Sequence, residues 1–528
     1  MFRVRISALA AVVVAAPLFA QSPSQAAFVY LSGTDTIGVE RFLRSPDRIV
    51  GEIVMRGQPR IMYDAAMPAP GRVNTISLTA FAPNAAADAP PMQRATMRLQ
   101  GDSVIAEITA GGTTRTQRFA SKPDALLLIN ASMAGFEPAI DRARAARTAP
   151  GDSIEVPVFL VAGGQTISAI VRVVSDDSVV VRMASMETHV ATDDGKMRRV
   201  RVPAQSLIAE RVEGPAVAKL SLGKPDYSAP AGAPYTAQPV TVKTQAGHVL
   251  AGTLTMPTGA SGRMPAVVTI TGSGPQDRDE YLPIVPGFRP FRQVADTLGR
   301  RGIAVLRLDD RGTGESGGDH SKATSADFAD DIRAAVAWLR ARADIDPAKI
   351  ALLGHSEGGL IAPIVAAADP KLAGIVLLAG PSKRGRPIIE FQLRNGIMND
   401  SSIPAAKKDS ALAATKAGFD TTAGRTAWMK YFLDYDPLTT ASKVKVPVLI
   451  LQGATDQQVT ADQAEELAEA IRKGGNRNVT VRVYPDRNHL FLEDKSGIPA
   501  GYARLPSGKI GPEVMGEIAE WLAKRLGK

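Results

Sequence analysis

Ile350-Ala351-Leu352-Leu353-Gly354-His355-Ser356-Glu357-Gly358-Gly359-Leu360 runs from a short apolar strand through a glycine-rich turn into a helical stretch that continues to Ala368. The turn fits the pattern G-x-S-x-G. A serine hydroxyl is a poor nucleophile unless a base and an exposed position activate it. A tight strand-to-helix turn supplies the position, and glycines flank the serine because a Cβ would clash there. The pattern alone is a weak signal, since a glycine-rich turn can also join a strand to a helix with no chemistry attached. The strand before it and the helix after it give it weight and make Ser356 the candidate nucleophile.

The partners of Ser356 follow from chain order. There are five histidines: His189, His248, His320, His355 and His489. In this arrangement the acid and then the histidine follow the serine, and only His489 lies beyond Ser356. His355 is adjacent to the serine, and such a turn points its side chain away from the hydroxyl. His489 sits in Asn488-His489-Leu490-Phe491, just after an expected last strand at Val479–Val483. The acid candidate is Asp456, which ends Gln452-Gly453-Ala454-Thr455-Asp456 after the apolar run Val448–Leu451. A carboxylate there can accept from the imidazole Nδ1–H and stabilise the imidazolium. Asp434, Asp436, Asp462 and Asp486 are the rivals. Asp436 precedes a proline, Asp462 should start a helix, and Asp486 is too local to His489.

Two backbone N–H groups are expected to form the oxyanion hole: Glu357, directly after the nucleophile, and Ser273, in Thr271-Gly272-Ser273-Gly274-Pro275, with Gly274 next in line. Asp309-Asp310-Arg311-Gly312-Thr313-Gly314-Glu315-Ser316 has neither phosphate-loop spacing nor a Cys/His cluster, and reads as a structural loop near the site rim. No metal and no cofactor is expected.

Outward from the turn, apolar strands alternate with helical stretches. Ala266–Ile270, Ile303–Leu308, Ile350–Leu353, Gly374–Leu378, Pro447–Leu451 and Val479–Val483 read as buried strands. Phe291–Arg301, Ala326–Arg342 and Pro512–Arg525 read as helices. This alternation predicts an α/β domain over residues 239–528, with a mostly parallel sheet and helices on both faces. Residues 381–446 show a helical pattern without a strong strand, and are expected as a cap inserted over the sheet. Residues 213–238 are rich in Pro, Ala and Gly and read as a linker. Residues 27–212 have another rhythm. Period-two runs such as Arg48–Met55, Ser168–Val174 and Ser178–Met183 lie between turn residues and predict a mostly β accessory region of two small sheets, with a short helix at Asp141–Arg147.

Bulk properties narrow the function classes. The 528 residues carry a formal charge of +9 and no cysteine. No run of five or six Lys/Arg suggests a nucleic-acid arm. The absence of cysteine excludes disulfides and a Cys-anchored lipoprotein. Residues 1–26 read as a cleavable signal peptide, with Arg3 and Arg5, the apolar Ile6–Ala16, then Pro17 and possible cleavage after Ala20 or Ala26. That apolar stretch is too short to span a bilayer as a helix. A secreted or periplasmic location is therefore expected, and the basic charge suits envelope or partner contact through the N-terminal β region.

Together, Gly272-Ser273-Gly274-Pro275-Gln276-Asp277-Arg278-Asp279, Asp310-Arg311-Gly312-Thr313-Gly314, the turn around Ser356, Tyr435-Asp436-Pro437, the Asp456 loop and Asn488-His489-Leu490-Phe491 resemble the α/β-hydrolase superfamily over about residues 235–528. Within it, the pattern is similar to esterase D-like and dienelactone-hydrolase-related serine hydrolases, and also to serine aminopeptidases. The resemblance implies a triad of Ser356, Asp456 and His489 and a small-molecule carboxylic ester as substrate. A peptidase with the same triad, or an envelope-binding protein with a vestigial hydrolase domain, are the alternatives.

Overall fold

The computed structural model describes residues 26–528 except 84–88, 147, 148, 150, 185, 260, 261, 402 and 425. The leader expected at 1–26 lies outside the described residues, apart from Ala26, as does Arg147 at the end of the expected short helix.

Among the described residues, eight strands build the second domain: β1 (Tyr235–Lys243), β2 (Val249–Pro257), β3 (Met264–Ile270), β4 (Ala304–Leu308), β5 (Ile345–His355), β6 (Gly374–Leu378), β7 (Val448–Gly453) and β8 (Val479–Tyr484). Their order in the sheet is β1-β2-β4-β3-β5-β6-β7-β8. The β1–β2 and β2–β4 pairs are antiparallel, and every later pair is parallel. Strands β3 and β6, the Ile350–Leu353 part of β5 and the Val448–Leu451 part of β7 are unbroken or nearly unbroken apolar runs because helices cover both faces of this part of the sheet. One face packs against α2 (Ser325–Arg340), α3 (Glu357–Ala368) and α8 (Asp462–Lys473). The other packs against α1 (Pro290–Gly299) and α9 (Pro512–Leu526). The first strand begins at Tyr235, inside the segment expected as linker. Much of that segment also lies on the protein surface rather than swinging free: Tyr227 Oη donates to Asp277 Oδ2 at 3.1 Å.

Between β6 and β7 the chain leaves the sheet for α4 (Gly385–Asn399), α5 (Lys408–Thr422), α6 (Ala427–Asp434) and α7 (Pro437–Ala441), within the span expected for the cap. Asp436, one of the rival acids, caps α7 through a hydrogen bond from Leu438 N at 3.1 Å. Asp462 opens α8 and pairs with Lys383 at 2.5 Å.

Among the described residues, the N-terminal region is one sheet of fifteen strands rather than two small ones. The first described strand, Ala26–Ser32, pairs antiparallel with Leu207–Glu213 on one side and with Asp35–Ser45 on the other. That central pairing joins two meanders that the sequence shows only as separate runs. Ala26, counted with the leader in the sequence, pairs with Phe42 and Glu213. The helix of this region spans Glu137–Ala145, four residues earlier than expected, with Pro138 in its first turn. Glu40 is wholly buried, where its carboxylate accepts from Tyr30 Oη at 2.8 Å, Tyr63 Oη at 2.6 Å and the backbone N–H of Met133 at 2.7 Å.

The two domains meet along the segment after β3. Tyr281 packs in the hydrophobic core of the N-terminal domain. Ser32 donates to the carbonyl of Pro283, and Arg289 pairs with Asp35 at 3.1 Å while its guanidinium lies 4.1 Å from the centre of the Tyr281 ring.

Candidate active site

Ser356 sits between the end of β5 and the start of α3, with φ 54° and ψ −116°. A non-glycine residue at positive φ is held there by its surroundings. Its N–H donates to the Leu378 carbonyl at 2.8 Å, and its carbonyl accepts from Gly359 N at 2.8 Å. The flanking glycines are a steric requirement. A Cβ on Gly354 would lie 2.1 Å from the Gly358 carbonyl oxygen, and one on Gly358 would lie 2.1 Å from the Ile270 carbonyl oxygen. The turn therefore presses against the end of β3 and leaves the serine partly exposed at the carboxyl edge of the sheet.

Asp456 follows β7 and His489 follows β8, so adjacent parallel strands deliver both to the same edge. His489 Nδ1 lies 2.7 Å from Asp456 Oδ2. The carboxylate is fixed from other directions as well. Oδ1 accepts from Gln458 N at 2.7 Å and Val459 N at 2.9 Å, and Oδ2 accepts from Gln452 Nε2 at 2.9 Å. Both side chains are almost fully buried. The His489 loop is wound around Asn488, whose Oδ1 accepts from Leu490 N at 2.9 Å and Leu492 N at 3.1 Å. Among the described residues no hydrogen bond joins the His489 imidazole to Ser356 Oγ. Contacts of this kind often tighten only when substrate is bound. The ring of His355, the residue before the serine, lies 5.0 Å from the His489 ring.

The loop after β3 lies beside the serine, since a Cβ on Gly272 would come within 3.3 Å of Ser356 Cβ. Gly272 N is committed to Glu280 Oε1 at 2.8 Å. The N–H groups of Ser273 and Gly274 donate to no acceptor among the described residues, nor does that of Glu357 at the first position of α3, where helix geometry leaves it free. Ser273 is exposed. Beneath the loop lies a cavity of about 30 Å³, room for a single water, lined in part by Thr271, Asp310, Arg311, Asp331 and Glu357. Asp310 accepts from Thr271 Oγ1 at 2.6 Å and Gln276 N at 2.9 Å. Desolvation pushes its pKa well above the carboxylate range, those hydrogen bonds offset it only in part, and the charges of Glu357 and Glu280 add to it.

The loop after β4 is structural. Asp309 accepts from Arg278 Nε at 2.9 Å and Nη2 at 2.6 Å, and also from the backbone N–H groups of Arg278 and Glu315. Among the described residues no three His, Cys, Asp or Glu side chains are grouped as a metal site. No described helix is long and apolar enough to cross a membrane.

Three residues at the site carry no local sequence signal. Glu280, at φ 54°, pairs with His355 across 75 positions of chain, with Oε1 2.8 Å from His355 Nδ1. His355 Nε2 in turn lies 3.0 Å from the His489 carbonyl oxygen. The third is Trp428 of α6, which reaches the Glu357 side chain from the cap.

The family described as "Serine aminopeptidase, S33" matches residues 288–496. The chain is 31% identical to Esterase EstD of Thermotoga maritima over 288 residues, covering 52% of this chain and 66% of that protein. It is 28% identical to Dipeptidyl aminopeptidase BIII of Pseudoxanthomonas mexicana over 272 residues, 49% of this chain and 36% of that one. The chain thus spans less than two thirds of the length of either relative. A solved esterase of Pyrococcus furiosus, Pf2001, aligns with 58% of this chain and 96% of its own at 19% identity and a TM-score of 0.41. The family match and the identity to Esterase EstD, together with the eight-stranded sheet and the serine turn, support an α/β-hydrolase serine hydrolase.

Proposed function

We propose that this hydrolase cleaves carboxylic esters of small molecules through an acyl-enzyme on Ser356. Ser356 Oγ attacks the ester carbonyl while His489 Nε2 takes its proton. Asp456 holds the imidazole with its Nδ1–H inward and stabilises the imidazolium. The tetrahedral oxyanion is received by the N–H groups of Ser273 and Glu357. The C–O bond to the alcohol breaks, and the alcohol leaves with the proton from His489. Water then repeats the sequence on the acyl-enzyme, releasing the acid and freeing Ser356.

The observation that carries this reading is the 2.7 Å contact between His489 Nδ1 and Asp456 Oδ2, at the same sheet edge as the serine turn. The identity to an esterase over 288 residues supports the ester as substrate. Wild type should hydrolyse p-nitrophenyl acyl esters, and Ser356→Ala should not while remaining folded. Activity retained in that variant would exclude Ser356 as nucleophile.

A peptidase is the second reading, favoured by the aminopeptidase family match and the aminopeptidase relative. It would use the same three side chains, so aminoacyl p-nitroanilides assayed beside the esters separate the two. We also propose export through the leader at residues 1–26, with the β domain facing the envelope. Amino-terminal sequencing of protein recovered outside the cytoplasm tests the cleavage.

A further inference from the structure

We propose that Glu280 and His355 form a buried positioning pair that ties the oxyanion loop to the loop carrying His489. The proposal rests on the serine mechanism above.

One carboxylate oxygen and one imidazole link three segments at the reacting centre. Glu280 Oε1 accepts from Gly272 N at 2.8 Å, which anchors the loop of Ser273. The same oxygen lies 2.8 Å from His355 Nδ1. On the far side of the ring, Nε2 lies 3.0 Å from the backbone oxygen of His489. A carbonyl oxygen only accepts, and the ionised carboxylate also accepts, so this geometry calls for a proton on each ring nitrogen. The His355 pKa is raised accordingly. Burial opposes the charge, but Glu280, the His489 carbonyl and the field of Asp456 outweigh it.

Both side chains are buried, at 2% and 5% exposure, so the link is shielded from water and from salt. Glu280 Oε2 makes no hydrogen bond among the described residues, and the positive φ of Glu280 is backbone strain. A feature with one oxygen unpartnered and a strained backbone is a costly way to stabilise a turn. It does, however, set the spacing between an oxyanion donor and the base. The triad does not explain it, because among the described residues neither side chain hydrogen-bonds to the serine hydroxyl or the Asp456 carboxylate.

The side-chain amides of Gln and Asn separate the two contacts. His355→Gln keeps a donor near the Nε2 position, towards His489. His355→Asn keeps one near Nδ1, towards Glu280, and abandons the His489 carbonyl. Glu280→Gln keeps the volume and an acceptor for Gly272 while removing the charge. Kinetics of the full chain on a p-nitrophenyl ester, with Ser356→Ala as the blank and a thermal melt for each variant, read the outcome. His355→Asn and Glu280→Gln should lose kcat by about tenfold or more with KM little changed, the scale expected when a reacting group is slightly misplaced. Each His355 variant keeps one of the two contacts, so His355→Gln should also lose kcat, by no more than His355→Asn.

A loss confined to KM, or kcat within about twofold of wild type in folded His355→Gln, His355→Asn or Glu280→Gln, would overturn the pair. If the His355 variants do not fold, Glu280→Gln decides alone. If Ser356→Ala is as active as wild type, or wild type is inert on every ester and anilide, the serine mechanism falls and takes this proposal with it. With that contrast intact, the variants judge the pair separately.

Discussion

The indole Nε1 of Trp428 donates to Glu357 Oε1 at 2.8 Å, so the cap is hydrogen-bonded to the residue directly after the nucleophile candidate. Ser325 Oγ, at the start of α2, donates to the same oxygen at 2.6 Å. Trp428 also stacks on Phe432, with ring centres 5.0 Å apart.

Trp428→Phe should keep the stack and lose the bond. One net hydrogen bond to stability is about 1 kcal/mol, and the same energy sets how well the cap is held over the serine. KM for p-nitrophenyl esters should rise about fivefold, with a smaller change in kcat. Unchanged KM and an unchanged thermal midpoint would show that the bond does not hold the cap.

Asp456→Asn should be far more damaging than its size suggests. Two backbone N–H groups hold Oδ1 as an acceptor, so the new NH₂ must take the Oδ2 place, facing His489 Nδ1 and Gln452 Nε2. Donor would meet donor unless the imidazole moved its proton to Nε2, where the base must be empty. We expect kcat to fall about 10⁴-fold with the fold retained, measured by ester turnover and near-ultraviolet circular dichroism.

Asp310 provides a test in pH. A carboxyl whose pKa is raised on folding stabilises the fold fully below its ordinary range, and this contribution is lost as pH climbs through the raised value. Asp310 is such a group, raised mainly by desolvation. Asp310→Asn copies the protonated form and cannot ionise. The variant should melt within about 1 kcal/mol of wild type in mild acid and should outlast it as the pH rises. Parallel melting curves across the pH range would show that Asp310 ionises at little cost in the folded protein.

Gly358→Ala tests the steric reading of the turn. The added methyl would meet the Ile270 carbonyl oxygen at 2.1 Å, a backbone atom that cannot swing away. Overpacking typically costs about 1–3 kcal/mol, and α3 would have to shift away from β3, carrying the Glu357 N–H with it. A lowered thermal midpoint together with reduced kcat is expected, and wild-type values in both would remove the steric argument.

The strands of the second domain were legible because parallel strands covered on both faces need apolar runs. Gly374–Leu378 coincides with β6, and Ala266–Ile270 lies within β3. The serine turn was legible because its glycines answer a local clash. The N-terminal sheet was legible strand by strand, Arg48–Met55 and Ser178–Met183 to the residue. Its continuity was not, because Ala26–Ser32 pairs with Leu207–Glu213 from the other end of the domain. A turn of this kind directs His355 away from the hydroxyl; what it meets is a glutamate 75 residues back, a relationship that no spacing rule encodes. The start of the N-terminal helix at Glu137 had a local signal in Pro138, while the partner of its first residue did not. The Glu137 carboxylate meets Arg211 at 2.7 Å, a partner from the far end of the region.

Tyr281 is the residue next to Glu280, and its ring is planted in the core of the neighbouring domain. The segment that begins at the oxyanion loop is therefore packed at its far end against the N-terminal domain. Cutting away the β domain would leave that ring in water and slacken the segment that leads back to Gly272. The accessory region thus holds one end of the segment that leads from the oxyanion loop, and a substitution in its core that loosens the Tyr281 ring should lower kcat on p-nitrophenyl esters although the hydrolase domain itself is unchanged.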